Sequence, residues 1–258
     1  MTTNRIDALF ARKQQDVLSV YCTAGFPRRD STLAVIRALQ DSGADMIELG
    51  MPYSDPLADG PVIQASSMTA IEGGMTLSVL FSQLKGFRET ITLPVLLMGY
   101  LNPVMQYGFD RFCADAKAAG IDGLILPDLP MHEFETIYAP VLRRHGLHLI
   151  FLVTPETTED RIRKLDALST GFLYAVSSSS TTGKDKDMGD SRAYFTRLEG
   201  MRLKNPVLVG FGIKDRQTFQ AACAHTAGAV IGTAYIRALE TATDPGPATR
   251  AFIKTIRP

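Results

Sequence analysis

The sequence lacks several features that mark whole classes of protein. Its 258 residues carry no net charge, because 27 Lys and Arg balance 27 Asp and Glu. A balanced charge provides no field that favours nucleic acid or an anionic membrane. Only three cysteines are present, Cys22, Cys113 and Cys223, and they are too far apart for a CxxC or other metal-binding pattern. We therefore expect neither a nucleic-acid partner nor a metal site.

Long apolar segments are missing as well. No uncharged apolar run approaches the ~18 residues that a membrane span needs, and no signal peptide is recognisable. Few, scattered cysteines suit a reducing compartment, so the sequence predicts a cytoplasmic protein that does not bind membranes. Because no linker or low-complexity segment interrupts the chain, we expect a single domain over residues 1–258.

Short apolar segments alternate with helical patterns along the chain. The predicted strands are residues 17–23, 45–49, 94–99, 123–126, 147–153, 171–176, 206–209 and 227–231. The predicted helices are residues 4–14, 31–42, 61–72, 77–90, 109–119, 132–145, 157–169, 191–201, 214–224 and 249–256, and a further helix from residue 234.

This alternation predicts an α/β protein with a parallel sheet and right-handed crossovers. Eight units in about 250 residues have the size of a (β/α)₈ TIM barrel, here with an extra N-terminal helix and extra helices in the loops. The alternative is an open, doubly wound sheet. The first strand–helix turn lacks the GxGxxG pattern that would favour it.

The segment from Met46 to Gly60 carries the most unusual chemistry. Glu48 lies in a short apolar strand, where a carboxylate is costly unless it is paired, hydrogen-bonded or protonated. Side chains alternate across a strand, so Glu48 should face the same side as Met46. Asp55 and Asp59 follow in the next loop. A purely structural role remains open: Glu48 could cap a turn or pair with a basic residue.

In a (β/α)₈ barrel the active site lies at the carboxyl ends of the strands. The polar residues at or just beyond the ends of predicted strands are Glu48, Asp55, Asp59, Tyr100, Asn102, Asp128 and Tyr174. No cysteine–histidine pair and no histidine cluster occurs among them. The chemistry on offer is therefore proton transfer by carboxylates rather than covalent or metal catalysis.

Three glycine-containing turns follow the last three predicted strands: Thr182-Gly183, Gly210-Phe211-Gly212 and Gly232-Thr233. Glycine allows the backbone to approach an anion closely, and helix N-termini present free N–H groups to it. Because barrels often bind a substrate phosphate in this region, the turns predict a phosphate site.

Several motifs resemble one family, the α subunits of tryptophan synthase. The motifs are ELGMPYSDPLADGP from Glu48, TAGFP from Thr23, MGYLNP from Met98, PDLP from Pro127, GFGI from Gly210 and GTA from Gly232. They extend over nearly the whole chain. The resemblance implies a cofactor-free (β/α)₈ barrel that cleaves indole-3-glycerol phosphate to indole and glyceraldehyde 3-phosphate. It also implies an α2β2 complex with a β subunit, which takes up the indole through a tunnel.

The resemblance also implies roles for individual residues. Glu48 matches the carboxylate that moves protons at indole C3 and the glycerol hydroxyl. Asp59 matches the acceptor of the indole N–H, and Tyr174 matches the active-site tyrosine. The residues expected to bind substrate are Tyr21, Tyr100, Thr182, Gly183, Phe211, Gly212, Gly232 and Thr233. The residues expected to contact the β subunit are Asp55, Pro56, Leu57, Asn102 and Pro130.

One departure from the family occurs after the sixth predicted strand. The usual Ser-x-x-Gly-x-Thr-Gly reads here with Ser180 in place of the first glycine. Other functions also stay open: a stand-alone lyase that needs no β subunit, an inactive barrel that serves only as a partner, and another phosphate-binding barrel enzyme. An aldolase would need a Schiff-base lysine, and none of the predicted strands ends in one.

Overall fold

A computed structural model describes residues 3–177 and 188–257, and of residues 188–191 the backbone only. The strands are β1 Val17–Thr23, β2 Met46–Gly50, β3 Val95–Met98, β4 Gly123–Ile125, β5 His148–Ile150, β6 Leu152–Val153, β7 Leu173–Val176, β8 Val207–Gly210 and β9 Gly228–Ile231. The helices are α1 Arg5–Arg12, α2 Thr32–Asp41, α3 Pro61–Glu72, α4 Leu77–Gln83, α5 Leu101–Tyr107, α6 Phe109–Ala119, α7 Met131–Glu133, α8 Ala139–His145, α9 Glu159–Leu168, α10 Met188–Gly200, α11 Arg216–Cys223, α12 Thr233–Glu240 and α13 Pro245–Ile256. A 3₁₀-helix spans Phe87–Glu89 and a π-helix spans Phe134–Tyr138.

The strands of the described residues form one parallel sheet in the order β5-β4-β3-β2-β1-β9-β8-β7-β6. The two ends of this order, β5 and β6, are separated only by Phe151, whose carbonyl accepts the Tyr174 N–H at 2.9 Å. The sheet therefore curls into a nearly closed barrel with helices around it, and the predicted barrel is confirmed over the open sheet.

Two apolar clusters divide the strand residues by alternation. Ile47 and Leu49 pack outward against the surrounding helices, whereas Met46, Leu96 and Val230 belong to a smaller cluster inside the barrel. Glu48 takes the inward direction with Met46, as predicted. A parallel sheet covered by helices has strands buried on both faces, which explains the continuous apolar segments in the sequence.

Helix α1 lies across the amino-terminal end of the barrel. Ile6 and Leu9 are buried in the interior cluster, and Phe10 packs against it. A side chain at Gly123 or Gly171 would come against Ile6, so both glycines make room for the helix. The predicted extra N-terminal helix thus closes this end of the barrel and leaves the carboxyl end open for a site.

Some predicted elements differ in the structure. No helix was predicted between residues 99 and 109, yet Leu101–Tyr107 form α5. Pro103 lies in its first helical turn, where its missing N–H costs nothing. The predicted helix 77–90 ends at Gln83, and Gly86 adopts φ 72° before the 3₁₀-helix. None of the helices in the described ranges is long and apolar enough to span a membrane.

A buried carboxylate ties α1 to the sheet. Asp122, only 3% exposed, accepts hydrogen bonds from Arg88 Nη2 at 2.5 Å and Arg5 Nη1 at 2.9 Å, and from the Val95 N–H at 2.9 Å. Burial lowers the pKa of Arg88 to about 10, and the charge of Asp122 opposes this shift. The pair is largely removed from water, so each partner depends on the other.

Replacing Asp122 with alanine should lower the free energy of unfolding by about 3–5 kcal/mol, because the Arg88 charge then stays buried without a partner. Urea unfolding followed by circular dichroism measures this. Asp110→Ala is the control, since Asp110 pairs with Arg144 at an exposed site and should show no measurable loss. Equal losses in both variants would contradict the assignment.

Candidate active site

Glu48 lies fully buried near the carboxyl end of β2. Its Oε1 accepts a hydrogen bond from the Ser19 hydroxyl at 2.9 Å, while Oε2 has no hydrogen-bond partner in residues 3–177 and 188–257. Burial raises the pKa of Glu48 to about 8, and the Ser19 hydrogen bond partly offsets this rise. Glu48 also forms no salt bridge within those ranges, so the structural alternative of an ion pair finds no support.

Asp59 occupies the loop after β2 and is half-buried. Burial raises the pKa of Asp59 to about 6, and a hydrogen bond from Tyr100 partly offsets this rise. The Tyr100 hydroxyl also accepts the Ala58 N–H at 2.9 Å, and therefore anchors the backbone next to Asp59. The ring of Tyr53 packs against Tyr100 with centroids 5.4 Å apart.

Each of two buried tyrosines lies over a glycine that ends the strand next to its own. A side chain at Gly50 would overlap with the Tyr21 hydroxyl, and one at Gly210 would overlap with the Tyr174 hydroxyl. Burial raises the pKa of both tyrosines well above its usual range. They are therefore neutral at physiological pH and can offer the site only rings and hydroxyl groups.

Tyr174 connects the two carboxylates. Burial is the largest cause of its raised pKa, and the charges of Glu48 and Asp59 come next in size. Both carboxyl groups therefore act on one region of the barrel mouth. A cavity lies beside Asp59; its lining residues are Tyr21, Met51, Tyr53, Pro56, Asp59, Ser67, Met98, Gly99, Tyr100 and Pro127. The structure thus brings Glu48, Asp59, Tyr21, Tyr100 and Tyr174 to the same end of the barrel.

The turns predicted to bind phosphate follow β8 and β9. Phe211 and Gly212 adopt φ 68° and 75°, and the Phe211 ring packs against Tyr174 with centroids 6.5 Å apart. Gly232 precedes α12, and Thr233 is its first residue, so the N-terminal N–H groups of that helix lie at the same end of the barrel. Thr182 and Gly183, like Ser180, lie outside the described residues.

Comparison with known proteins identifies the family. A profile described as Tryptophan synthase alpha chain matches residues 8–255. The tryptophan synthase alpha chain of Parabacteroides distasonis is 47% identical over 255 residues, which cover 98% of this chain and 99% of that one. The alpha chain of Bacteroides thetaiotaomicron is 48% identical over 94% of this chain and 95% of its own. The chain belongs to the tryptophan synthase alpha chain family.

Solved structures agree. The tryptophan synthase subunit alpha from Legionella pneumophila superposes with a TM-score of 0.89 at 35% identity, and covers 99% of this chain and 98% of that one. The alpha subunit of tryptophan synthase cleaves indole-3-glycerol phosphate for tryptophan biosynthesis and forms a complex with the β subunit. The predicted family, lyase activity and partner are therefore confirmed.

The residues expected to contact the β subunit lie in and beside the loop after β2. Leu57 is 89% exposed, and Asp55 and Pro130 are exposed as well. Asn102 is exposed and donates to the Tyr53 hydroxyl at 3.0 Å. Pro56 differs: it is buried and lines the cavity, and its carbonyl accepts the Asp59 N–H in a tight turn.

Sequence reasoning missed two residues that contact the predicted site residues. The Ser19 hydroxyl donates to Glu48, 29 residues away in the sequence, and the Tyr53 ring packs on Tyr100. A serine inside an otherwise apolar strand was the available signal for Ser19, because a buried hydroxyl needs a partner. The MPYSDP motif contains Tyr53 but does not indicate which way its ring turns.

Replacing Gly210 with alanine should displace the Tyr174 ring and lower kcat/KM by about 10²-fold, because small misplacements of a site residue are costly. Steady-state indole release measures this effect. Gly200→Ala is the control: a methyl group there would meet no atom of the described residues within 4 Å. The role given to Gly210 is wrong if both variants keep the original rate.

Proposed function

We propose that this chain cleaves indole-3-glycerol phosphate with Glu48 as proton-transfer group and Asp59 as electrostatic partner of the indole ring. The observation that supports this most is the contrast between the two carboxylates. The pKa of fully buried Glu48 is about 8, and that of half-buried Asp59 is about 6. Near neutral pH one is protonated and the other ionised, which divides acid from anion within one site.

Glu48 acts first as an acid. Cleavage of the bond between indole C3 and the glycerol chain requires a proton on C3, and the protonated carboxyl of Glu48 supplies it. The ring loses its aromaticity and becomes an indolenine cation. The carboxylate left on Glu48 can then take the proton of the glycerol hydroxyl next to the breaking bond.

The bond breaks as that hydroxyl becomes a carbonyl. The electron pair of the carbon–carbon bond returns to the ring, which restores neutral indole, and the aldehyde of glyceraldehyde 3-phosphate forms. One proton has moved from Glu48 to C3 and one from the hydroxyl to Glu48. The carboxyl group therefore ends the cycle in its original state.

Asp59 stabilises the cation between these steps. An anion facing the ring N–H strengthens its hydrogen bond as positive charge develops on the ring. Tyr100 holds this loop through the Ala58 N–H, so the anion is fixed in place before the reaction. Tyr21 and Tyr174 add apolar walls that keep water from the ring.

The substrate phosphate binds at the turns of Gly212, Gly232 and Thr233. The positive φ of Gly212 turns the backbone sharply there, and the start of α12 contributes N–H groups and the helix dipole. No basic side chain is required for this mode of binding. Thr182 and Gly183 are part of the proposal on sequence grounds alone.

The β subunit takes up indole at the surface that carries Leu57 and Asn102, in an α2β2 complex. We further propose one domain, because strands from both halves of the chain share one barrel. A cytoplasmic location fits the three buried cysteines, none of which is in a disulfide.

The pH profile of kcat/KM tests the assignment of the carboxylates. Activity should fall above about pH 8, where Glu48 loses its proton, and below about pH 6, where Asp59 gains one. The basic limb is the more diagnostic, because the substrate phosphate also ionises near pH 6. A rate that keeps rising well above pH 8 would contradict an acid role for Glu48.

Indole release by the purified chain, with and without a β subunit, tests the reaction itself. A slow basal rate that rises with the β subunit is expected. A full rate without the β subunit would favour the stand-alone lyase. No indole under either condition would leave only the role of a structural partner.

A further inference from the structure

Ser19 is a polar residue in an apolar place. It lies in β1 with no exposed surface, and its register partners are Met46 in β2 and Val230 in β9. Both belong to the apolar cluster inside the barrel. A buried hydroxyl without a hydrogen bond is costly, so its partner shows what the residue does.

That partner is Glu48, and the contact makes the two carboxyl oxygens unequal. The Ser19 hydroxyl donates to Oε1 at 2.9 Å. Oε2 is equally buried and is without a hydrogen bond in the described part of the chain. A buried carboxylate oxygen left in this state is expensive, and such atoms are expected where a ligand completes the set.

We propose that Ser19 is a positioning residue for Glu48: its hydroxyl holds Oε1 and so assigns Oε2 to proton exchange with indole-3-glycerol phosphate. This inference rests on the proposed function of Glu48. It adds that the two carboxyl oxygens have different roles, Oε1 in positioning and Oε2 in proton exchange. Without Ser19 the carboxyl group can rotate, and either oxygen can face the ring.

The groups around Glu48 leave Ser19 as its main polar contact. On β1, Tyr21 is the register partner of Glu48, and burial and the charge of Glu48 both raise the pKa of Cys22. On β7, burial and the same charge raise the pKa of Tyr174. Burial raises the pKa of all three, that of Cys22 to about 12, so they stay neutral near physiological pH. The register partner in β3 is apolar Leu96. Among the residues that the structure describes, Asp59 is the other carboxyl group whose charge acts on Tyr174.

The sign of the expected pKa change follows. Burial raises the pKa of Glu48, and the Ser19 hydrogen bond, which favours the ionised form, lowers it. Removing the hydroxyl should therefore raise this pKa further. The basic limb of the lyase profile should move to higher pH with it, because the carboxyl group keeps its proton longer.

The test titrates Glu48 directly in the ligand-free chain. Glutamate is labelled with ¹³C at the carboxyl carbon, and Glu48→Gln assigns the resonance. In Ser19→Ala the acid dissociation constant of Glu48 should fall about tenfold. The single-turnover rate of cleavage should fall by about tenfold. The steady-state KM should change little, since the hydroxyl does not touch the substrate. Ser19→Thr keeps the hydroxyl and should restore both values.

Ser169→Ala is the matched control. Ser169 is also fully buried, and its hydroxyl donates to the Phe172 carbonyl at 2.6 Å, at the other end of the barrel. It should lower the thermal midpoint as Ser19→Ala does, without moving the titration or the basic limb. Should Ser19→Ala fail to fold, Ser19→Cys supplies a weaker donor of similar size for the same measurements.

The outcomes separate this proposal from the proposed function. An unchanged Glu48 titration in Ser19→Ala, together with an inactive Glu48→Gln, overturns the role of Ser19 alone. A shifted Glu48 titration in Ser19→Ala, with the basic limb of the pH profile and the cleavage rate unchanged, also overturns the role of Ser19. Wild-type cleavage by Glu48→Gln overturns the proposed function instead, and the role of Ser19 with it.

Discussion

Replacing Glu48 with glutamine is expected to lower the single-turnover rate of indole formation by about 10²–10⁴-fold, the usual effect of losing a positioned acid or base. The amide keeps the shape of the side chain and can still accept the Ser19 hydrogen bond, but it cannot exchange a proton. Rapid mixing with indole-3-glycerol phosphate measures the rate. Glu72→Gln, on the exposed end of α3, is the control.

The same variant should become more stable than the original chain as the pH rises. The pKa of Glu48 is raised from 4.5 to about 8 in the folded chain, so its ionisation favours unfolding increasingly between these values. Glutamine removes this dependence. The difference in thermal midpoint between variant and original chain should therefore grow from about pH 5 to about pH 8. A near-original cleavage rate would end the assignment of Glu48.

Replacing Asp59 with asparagine should lower kcat by about 10²–10³-fold, a loss comparable to removing one preorganised group that stabilises a charged transition state. The amide oxygen can still accept the indole N–H, but the negative charge opposite the developing cation is gone. Because asparagine does not titrate, the acid limb that belongs to Asp59 should disappear from the profile. Only the ionisation of the substrate phosphate should remain there.

Asp41→Asn provides the comparison for this variant. Asp41 ends α2 and is exposed, so the profile should keep both limbs. If Asp59→Asn retains most of kcat, the anion opposite the ring must be another group. The loop after β2 would then be structural, and its contact with the β subunit would be its main role.

The sequence predicted the elements that follow from local pattern. Strand Val17–Thr23 and helices Pro61–Glu72 and Phe109–Ala119 have the predicted bounds, because glycine, proline or a clear change of period marks their ends. Glu48 stood out because a carboxylate in an apolar strand is rare. The site thus became visible wherever one residue broke a strong pattern.

What the sequence could not predict depends on distant parts of the chain. The hydrogen bond from Ser19 to Glu48 and the packing of Tyr53 on Tyr100 join different loops and strands. The inward turn of Pro56 was also missed, since a loop proline has no periodicity that shows its facing. The break at Phe151 between β5 and β6 arises where the barrel closes. The local sequence does not show where a barrel closes, so one continuous strand was predicted there.

Helix α1 must dock late, because its contacts lie with later parts of the chain. Its polar residues bind partners that leave the ribosome much later: Arg5 meets Asp122 across 117 residues, and Asp7 meets His148 at 2.9 Å across 141. Until those partners exist, the apolar face of Ile6 and Leu9 has nothing to cover it. Contacts of such long separation form slowly, and exposed apolar surface on a growing chain favours aggregation. We expect the helix to dock only after the strands have assembled.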